Sequence, residues 1–222
     1  MDPKRIVADG YDRIAEAFLA WGERVGGDEV RRRYLAALTD DLADGARVLE
    51  LGCGAGVPVA RQLAERFDVT GVDISARQIE LARQNVPGAT FVHGDMTTQR
   101  FPAASFDAVG AFYALIHVPR AEHGPLFQAI ATWLRPGGTL VATLLHRANP
   151  GLAETWLDVP MYYSGHPPDA STGLLRASGL EVLTARDETI DEDGHPATFF
   201  WVVARKPGGE ASQAWRGQTP HA

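Results

Sequence analysis

The chain has few residues of several types, and each shortage excludes a class of protein. Cys53 is the one cysteine among 222 residues, so no intramolecular disulfide can form, and we expect a reducing, cytoplasmic location. No apolar run near the start resembles a signal peptide, and no apolar run is long enough to span a membrane. We therefore expect a protein with no membrane partner.

Positive charge is also in short supply. Lys and Arg number 21 against 28 Asp and Glu, which gives a net charge of −7. The one basic run, Arg31-Arg32-Arg33, is short and suits a solvated helix face. Proteins that bind nucleic acid usually concentrate Lys and Arg on one surface, so this composition predicts no nucleic-acid partner.

The sequence does have short apolar runs that alternate with stretches of helical spacing. Such alternation is typical of repeated strand-helix-strand units and predicts an α/β fold with a parallel sheet. The predicted strands are 48–51, 69–73, 90–93, 106–112 and 139–145, and the helical repeats lie near 59–67, 79–86 and 126–134. At 45% hydrophobic, the composition supports one domain with a sizeable core.

The segments that flank this core differ from it in character. The predicted order is a helical cap or lid over 1–45, with helices near 4–20 and 29–43, then a core over 46–205 with a substrate-covering insert at 146–169, then a disordered tail over 206–222. Two late apolar runs, near 180–185 and 198–204, are joined by an acidic turn. They predict an antiparallel pair of strands at one end of the sheet.

Three glycines at alternate positions directly follow the first predicted strand. Gly52, Gly54 and Gly56 would let a ligand approach the backbone at the carboxyl edge of the sheet, where this class of fold binds ligands. A dinucleotide turn needs the longer spacing G-x-G-x-x-G, and here Val57 stands in place of its third glycine. Pro58 suits the first position of a helix. The spacing favours a cofactor without a pyrophosphate.

The residues around this turn resemble a known family. E-L-G-C-G-A-G, Glu50 to Gly56, is similar to the first motif of class I S-adenosylmethionine-dependent methyltransferases, and the likeness extends from about residue 11 to 205. It includes G-V-D-I-S, G-D-M, F-D-A-V-G-A-F-Y-A-L-I-H and L-R-P-G-G-T-L. The resemblance implies a Rossmann-like, doubly wound sheet of seven strands, mostly parallel with a reversed last strand, in the order 3-2-1-4-5-7-6.

The resemblance also implies a site for S-adenosylmethionine. Its residues would be Tyr11, Glu50, Gly52, Gly54, Gly56, Asp73, Ile74, Asp95 and Met96, with Ala111 and Phe112 at the methionyl end. Asp73 would accept hydrogen bonds from the ribose diol and Asp95 one from the adenine amine, with Met96 against the ring. Tyr11 would contact the cofactor carboxylate from the lid. Asp73 could instead be a helix N-cap, Asp95 a turn residue, and Glu50 a support for the turn.

Two histidines fall at the catalytic rim by topology. His117 lies beyond the fourth predicted strand and His146 after the fifth, and either could accept a proton near neutral pH. His117 could instead help to begin a helix at Pro119, and His146 could satisfy a loop carbonyl. One cysteine and seven scattered histidines give no set of zinc ligands, so we expect no metal site. Cys53 suits a small buried residue of the turn better than a nucleophile.

Aromatic side chains are the candidates for contact with a methyl acceptor. They are Trp156, Tyr162 and Tyr163 of the insert, together with its His166, then Phe18 and Trp21 of the lid, and Tyr113 after the fourth strand. Apolar and aromatic residues at the functional edge of a sheet suit a cover over a small hydrophobic molecule. Trp156 could equally pack on the last hairpin, and the lid aromatics leave the same choice open.

The residues and the resemblance together predict an enzyme that moves a methyl group from S-adenosylmethionine to an O, N or S atom of a small molecule. Specialised metabolism is the setting that the resemblance implies, and we expect a monomer or homodimer. Four alternatives stay open: a cyclase with the same cofactor, a binding-only module, a nucleic-acid or protein methyltransferase, and an NAD(P)-dependent oxidoreductase. The oxidoreductase would need the longer glycine spacing and leaves Glu50 and G-D-M unexplained.

Overall fold

The computed structural model describes residues 2–25 and 29–208, without the side chains of residues 23–25. Its strands are β1 (Arg47–Leu51), β2 (Asp68–Asp73), β3 (Thr90–His93), β4 (Phe106–Ala111), β5 (Leu134–Leu145), β6 (Asn149–Trp156), β7 (Val159–Gly165), β8 (Glu181–Glu192) and β9 (His195–Arg205). Its helices are α1 (Pro3–Val25), α2 (Glu29–Thr39), α3 (Val59–Leu63), α4 (Ala76–Asn85), α5 (His123–Trp133) and α6 (Pro168–Ala177), with short 3₁₀ turns at Leu115–His117 and Arg120–Glu122.

Seven strands form one sheet in the order β3-β2-β1-β4-β5-β9-β8. The neighbours from β3 to β5 are parallel, whereas β9 is antiparallel to both β5 and β8. This arrangement confirms the predicted topology, because the insert adds two strands and the predicted sixth and seventh become β8 and β9. The central strand β4 is buried along its whole length, as expected for a parallel strand covered on both faces.

Helices cover both faces of the sheet. On one face α5 and α6 contribute Phe127 and Leu175 to a core with the apolar side chains of β4 and β5. On the other face α3 and α4 contribute Leu63 and Ile79, and α2 joins them. The carboxyl ends of β1, β2, β3 and β4 therefore open into loops at one edge of a rigid sheet, which is where this class of fold places its ligand site.

The insert contains a two-stranded sheet of its own. β6 and β7 pair as a hairpin, and its turn residues Leu157 and Asp158 have φ of 47° and 63°. Two successive residues with positive φ are the geometry of a tight hairpin turn that matches strand twist. The predicted substrate cover is therefore a hairpin instead of an irregular loop.

Several element boundaries differ from the sequence prediction. β5 begins at Leu134, five residues early, because Leu134 pairs with Phe106 before the register shifts across the Pro-Gly-Gly segment. α1 extends to Val25, and α2 ends at Thr39. Lys206 exchanges backbone hydrogen bonds with Gly137 and Gly138, so the first residues of the predicted tail continue the sheet edge. The rest of that tail, 209–222, lies outside the described residues.

The long helix α1 packs on the hairpin and on α4. Val7 and Ile14 of α1 form a small core with Val159 and Met161 of β7. Gly10 allows this approach, because a Cβ at that position would lie 3.0 Å from the Met161 side chain. No helix in the described ranges is long and apolar enough to cross a membrane.

Candidate functional site

The glycine turn after β1 uses backbone conformations that favour glycine. Gly52, Gly54 and Gly56 have φ of +73°, +52° and +75°. A Cβ on Gly52 would collide with the Cβ of Ala114, in the loop after β4. At Gly56 a Cβ would instead press on helix α4 and on Phe91 at 3.2 to 3.3 Å. Gly52 and Gly56 therefore both serve packing, whereas a Cβ on Gly54 would meet no atom closer than 3.8 Å.

Asp73 holds this turn in place from the end of β2. Its Oδ2 accepts a hydrogen bond from the backbone N–H of Gly54 at 2.8 Å, and its Oδ1 accepts one from Ser75 at 2.9 Å. Ser75, and not Asp73, is the N-cap of α4, since its hydroxyl accepts from the N–H of Gln78. Burial raises the pKa of the Asp73 carboxyl, and the two backbone N–H groups oppose that shift.

Glu50 is a carboxylate inside the fold, directly below the turn. It is 3% exposed, and its Oε2 has no hydrogen-bond partner in the described part of the chain. Burial raises the pKa of Glu50 well above its usual range, and the charge of Asp73 adds to the effect. A buried, unpaired carboxylate oxygen is costly, so this atom is an acceptor in need of a donor.

Asp95, after β3, is engaged by the N-terminal helix. Its Oδ2 accepts from Lys4 Nζ at 2.7 Å, and its Oδ1 accepts from the N–H of Thr97 at 2.8 Å. The same ammonium donates to Glu122 at 2.5 Å and to Thr97 Oγ1 at 2.8 Å. Lys4 and these hydrogen bonds lower the pKa of Asp95 against an opposing effect of burial. Met96 lies beside the turn, 3.7 Å from where a Cβ of Gly52 would be.

Helix α1 is joined to the site at two further points. Asp12 Oδ1 accepts from the hydroxyl of Ser75 at 2.6 Å and from the N–H of Arg77 at 3.1 Å, at the start of α4. The hydroxyl of Tyr11 lies 3.0 Å from Nε2 of His117. Polar groups of α1 therefore reach the ends of β2, β3 and β4.

His117 is held in one tautomer. Its Nδ1 is 2.8 Å from the backbone oxygen of Tyr162, which can only accept, so Nδ1 carries the proton. Nε2 then accepts a hydrogen bond from the Tyr11 hydroxyl. Burial lowers the pKa of His117 to about 4, so the ring is neutral near neutral pH.

Four aromatic rings form a cluster between α1 and the hairpin. This aromatic cluster consists of Tyr11, Phe18, Trp21 and Trp156, with centroid separations from 5.3 to 6.1 Å. His117 extends the cluster through its hydrogen bond with Tyr11, and the ring of Tyr163 lies 4.9 Å from that of His117. The indole N–H of Trp21 donates to Asp193 at the tip of the β8–β9 hairpin at 2.8 Å. The lid, the insert and the last hairpin therefore meet at these rings.

Several predicted site residues do not join this cluster. Ala111 and Phe112 are buried in the two main cores, and Tyr113 packs instead on Phe199 and Trp201. Tyr162 offers its carbonyl to His117, His166 binds the backbone oxygen of Arg120, and Ile74 packs with the α1 core. His146 follows β5 and is half-buried. Among the described residues no group of His, Cys, Asp or Glu is arranged to hold a metal ion.

Four residues of the site were not predicted from the sequence. They are Lys4 and Asp12 of α1, and Thr97 and Glu122, which bind the Lys4 ammonium. The sequence carries one signal for them. Lys4 is one of only two lysines in the chain, and it stands on the face of a predicted lid helix. No local pattern pairs it with residues about 90 and 120 positions away.

Comparisons with known proteins agree with this geometry. A family model described as a methyltransferase domain matches residues 48–138. Phosphoethanolamine N-methyltransferase 3 of Arabidopsis thaliana is 29% identical over 81% of this chain and 36% of its own length. The O-methyltransferase cnsE of Penicillium expansum is 32% identical over 85% of this chain and 70% of its own. A solved [4+2]-cyclase, SpnF, shares the fold with a TM-score of 0.71 and 20% identity, over 94% of this chain and 98% of that one.

These matches, with the sheet order and the glycine turn, define the class: the chain belongs to the S-adenosylmethionine-dependent methyltransferase family. The predicted family and its cofactor are confirmed. The chain spans about a third of the length of the first plant relatives it matches.

Proposed function

We propose that this protein transfers a methyl group from S-adenosylmethionine to an O, N or S atom of a small molecule. The observation that carries the proposal is the glycine turn, bound by Asp73 and backed by the buried Glu50, whose Oε2 has no hydrogen-bond partner among the described residues. The relatives bear the names of methyltransferases that act on unlike small molecules, among them phosphoethanolamine and 27-O-demethylrifamycin SV. We infer specialised metabolism from the same resemblance, and a cytoplasmic location from the single cysteine.

The donors and acceptors of the site fit this cofactor. A methionine tail carries an ammonium, and Glu50 Oε2 is a buried acceptor without a donor among the described residues. Gly54 leaves the backbone open to close approach, since a Cβ there would meet no atom closer than 3.8 Å. We assign the ammonium end of the cofactor to Glu50 and this turn. The carboxylate end is assigned to Tyr11, whose single hydroxyl hydrogen would then turn from His117 Nε2 to the cofactor.

The nucleoside end is assigned to the two aspartates that follow β2 and β3. Asp73 keeps a free lone pair on each oxygen beyond its two backbone hydrogen bonds, which suits the ribose diol. Asp95 would accept from the adenine amine, with Met96 against the ring edge. Both roles follow the family motifs onto residues that stand at the carboxyl edge of the sheet.

When bound, the cofactor supplies an electrophilic methyl on a sulfonium, which an acceptor atom attacks in line. The task of the chain is then to position the acceptor and to exclude water, because effective proximity is the main source of rate in such a displacement. α1 and the β6–β7 hairpin cover the edge of the sheet and perform both tasks. A hydroxyl acceptor also needs to lose a proton.

His117 is the better placed of the two candidate bases. Its Nε2 faces the aromatic cluster and is unprotonated, with Tyr11 as its donor. A proton released by the acceptor would reach Nε2 directly or through the Tyr11 hydroxyl. The lowered pKa of His117 makes it a weak base, which suits an acceptor whose proton leaves together with methyl transfer.

The acceptor is expected to have an apolar or aromatic body and no phosphate. Rings form the wall on the α1 side. Burial, then the charges of Glu192 and Glu154, raise the pKa of Tyr163, and Glu192 also acts on Tyr11. These negative charges oppose a phosphorylated group at the cluster.

Calorimetric titration with S-adenosylmethionine, S-adenosylhomocysteine and the nicotinamide dinucleotides tests the cofactor. We expect tight binding of the first two, and a loss of about tenfold or more in Asp73→Asn. Asp107→Asn is the matched control. Asp107 is equally buried and also accepts a hydrogen bond from a backbone N–H, but it lies at the amino-terminal end of β4, away from the proposed cofactor site. Tight binding of a nicotinamide dinucleotide alone would refute the proposal.

Mass spectrometry of acceptor libraries tests the transfer. A gain of one methyl on an apolar phenol, amine or thiol supports it. An acceptor that is converted to a product without a gain of one methyl would indicate a cyclase. Cofactor binding without any product would indicate a regulatory module. His117→Ala and His146→Ala, with cofactor affinity measured in parallel, decide the base: full activity in both variants removes both residues from that role.

A further inference from the structure

Lys4 stands where α1 meets the adenine end of the proposed cofactor site. Its ammonium is shared by Asp95, Glu122 and Thr97 at 2.7, 2.5 and 2.8 Å. The side chains of Lys4 and Asp95 are only 24% and 20% exposed. One cation therefore joins a carboxylate that belongs to the cofactor site to a carboxylate that does not.

We propose that Lys4 is a latch residue that competes with the adenine amine for Asp95 and remains on Glu122 when the cofactor is bound. This inference rests on the proposed function, in which Asp95 faces adenine. It makes the ion pair a barrier to cofactor entry and makes Glu122 the residue that keeps the Lys4 ammonium paired afterwards.

The hydrogen bonds of Asp95 show which donor an incoming group would displace. Oδ1 accepts from the N–H of Thr97 at 2.8 Å, Oδ2 accepts from Lys4, and the one hydroxyl hydrogen of Thr97 lies between the two oxygens at 2.9 and 2.8 Å. These three donors take up most of the roughly four lone-pair positions of the carboxylate. Thr97 belongs to the same turn as Asp95. Lys4 comes from another element, and its long flexible side chain is the donor that can withdraw.

Charge supports the same reading. Burial alone would lower the pKa of Lys4, but hydrogen bonds and charge from Asp95 and Glu122 outweigh it and raise the pKa. The pKa of Asp95 is lowered, so the pair is fully ionised near neutral pH. The exocyclic amine of adenine is a neutral donor and replaces an ammonium at Asp95. Glu122 offsets this loss because it keeps the ammonium paired.

Withdrawal of Lys4 does not require α1 to leave. Asp12 binds Ser75 and the start of α4, and Tyr11 binds His117, more than one helical turn further along α1. These contacts hold the helix while the Lys4 side chain moves from two carboxylates to one. The latch is thus a side-chain switch beneath a lid that stays in place.

The test measures Kd for S-adenosylhomocysteine by calorimetry, and the association rate by stopped-flow tryptophan fluorescence, in Lys4→Met. We expect binding about fivefold tighter, the factor that corresponds to a partly exposed ion pair, with faster association. Arg5→Met is the matched control, because Arg5 is the next residue of α1 and pairs only with the exposed Asp9 among the contacts described. It should leave both quantities unchanged.

Glu122→Gln should act in the opposite direction. The bound state loses the only carboxylate left to Lys4, so binding should weaken by a similar factor, and this effect should vanish when Lys4→Met is also present. Equal or weaker binding in Lys4→Met overturns the latch, as does an equal effect of Glu122→Gln in both backgrounds. If the wild-type protein binds no S-adenosylhomocysteine, the cofactor assignment falls as well; if it binds and Lys4→Met is no tighter, the latch alone falls.

Discussion

Replacing Glu50 by Gln should make the cofactor-free protein more stable and its cofactor affinity lower. In the native fold Glu50 is 3% exposed, and its Oε2 has no hydrogen-bond partner within residues 2–25 and 29–208. An unsatisfied buried polar group costs about 1 to 3 kcal/mol, and a neutral amide at the same position avoids the charge. For a chain of this size, each kcal/mol raises Tm by about 2 to 4 °C.

The dependence on pH identifies the cause. The pKa of Glu50 in the folded protein is raised above its ordinary 4.5. As pH rises above 4.5, Glu50 loses its proton in the unfolded chain but keeps it in the folded protein, so the contribution of Glu50 to the stability of the wild-type protein falls. The gain from Glu50→Gln should therefore be small near pH 4.5 and larger at about pH 8. Cofactor binding should weaken roughly ten- to a hundredfold, because a hydrogen bond between charged groups contributes about 1.5 to 3 kcal/mol.

Thermal denaturation at both pH values and calorimetric titration provide the assay. Asp107→Asn is the control, since its carboxylate is buried but paired with the N–H of Arg47 and with Arg135. The Asp107→Asn variant should be less stable than the wild-type protein at about pH 8, whereas the Glu50→Gln variant should be more stable. A Glu50→Gln variant that is less stable at about pH 8, or equally stabilised at both pH values, would refute the account of this residue as a strained acceptor.

Three further outcomes follow from named contacts. Gly52→Ala should destabilise the fold by about 1 to 3 kcal/mol and abolish cofactor binding, whereas Gly88→Ala, with open space around it, should stay close to wild type in denaturant titration. Tyr11→Phe should cost about 1 to 3 kcal/mol by the same titration, because it leaves Nε2 of the buried His117 without a donor; an unchanged midpoint would contradict the pairing. Burial lowers the pKa of His117 and of His123 to about 4, so their share of the stability should fall as pH drops from 6.5 to 4, opposite in sign to the share of Glu50. The difference between the wild-type and His117→Gln profiles isolates the share of His117, and a difference that stays flat or rises as pH drops would count against a neutral buried ring.

The sheet was accessible from the sequence because its signals are local. The apolar run of β1, the glycine turn and the helix after Pro58 all lie within about fifteen residues, and each element follows from spacing alone. The start of β5 was missed for the opposite reason. Leu134 pairs with Phe106 through tertiary contact, although helical periodicity extends through it.

The site residues likewise fall into those that a local motif predicts and those that only tertiary contacts bring together. Asp73 and Glu50 stand at motif positions and were predicted, and the structure adds their hydrogen bonds and burial. Lys4 was not predicted, because its partners are distant in sequence and no periodic pattern marks a contact between a helix and a loop. The direction in which a ring points was equally hidden, as Tyr113 turns toward Trp201 and away from the aromatic cluster.

The contact between Trp21 and Asp193 has a consequence for how such an enzyme can change its substrate. One end of α1 is bound to loops at the carboxyl edge of the sheet, whereas Trp21 near its other end is bound to the tip of a long hairpin. Under the proposed assignment the acceptor would lie at the aromatic cluster and the nucleoside at the opposite end of α1. Exchange of the 191–194 turn between relatives should then change the choice of acceptor and leave cofactor affinity unchanged.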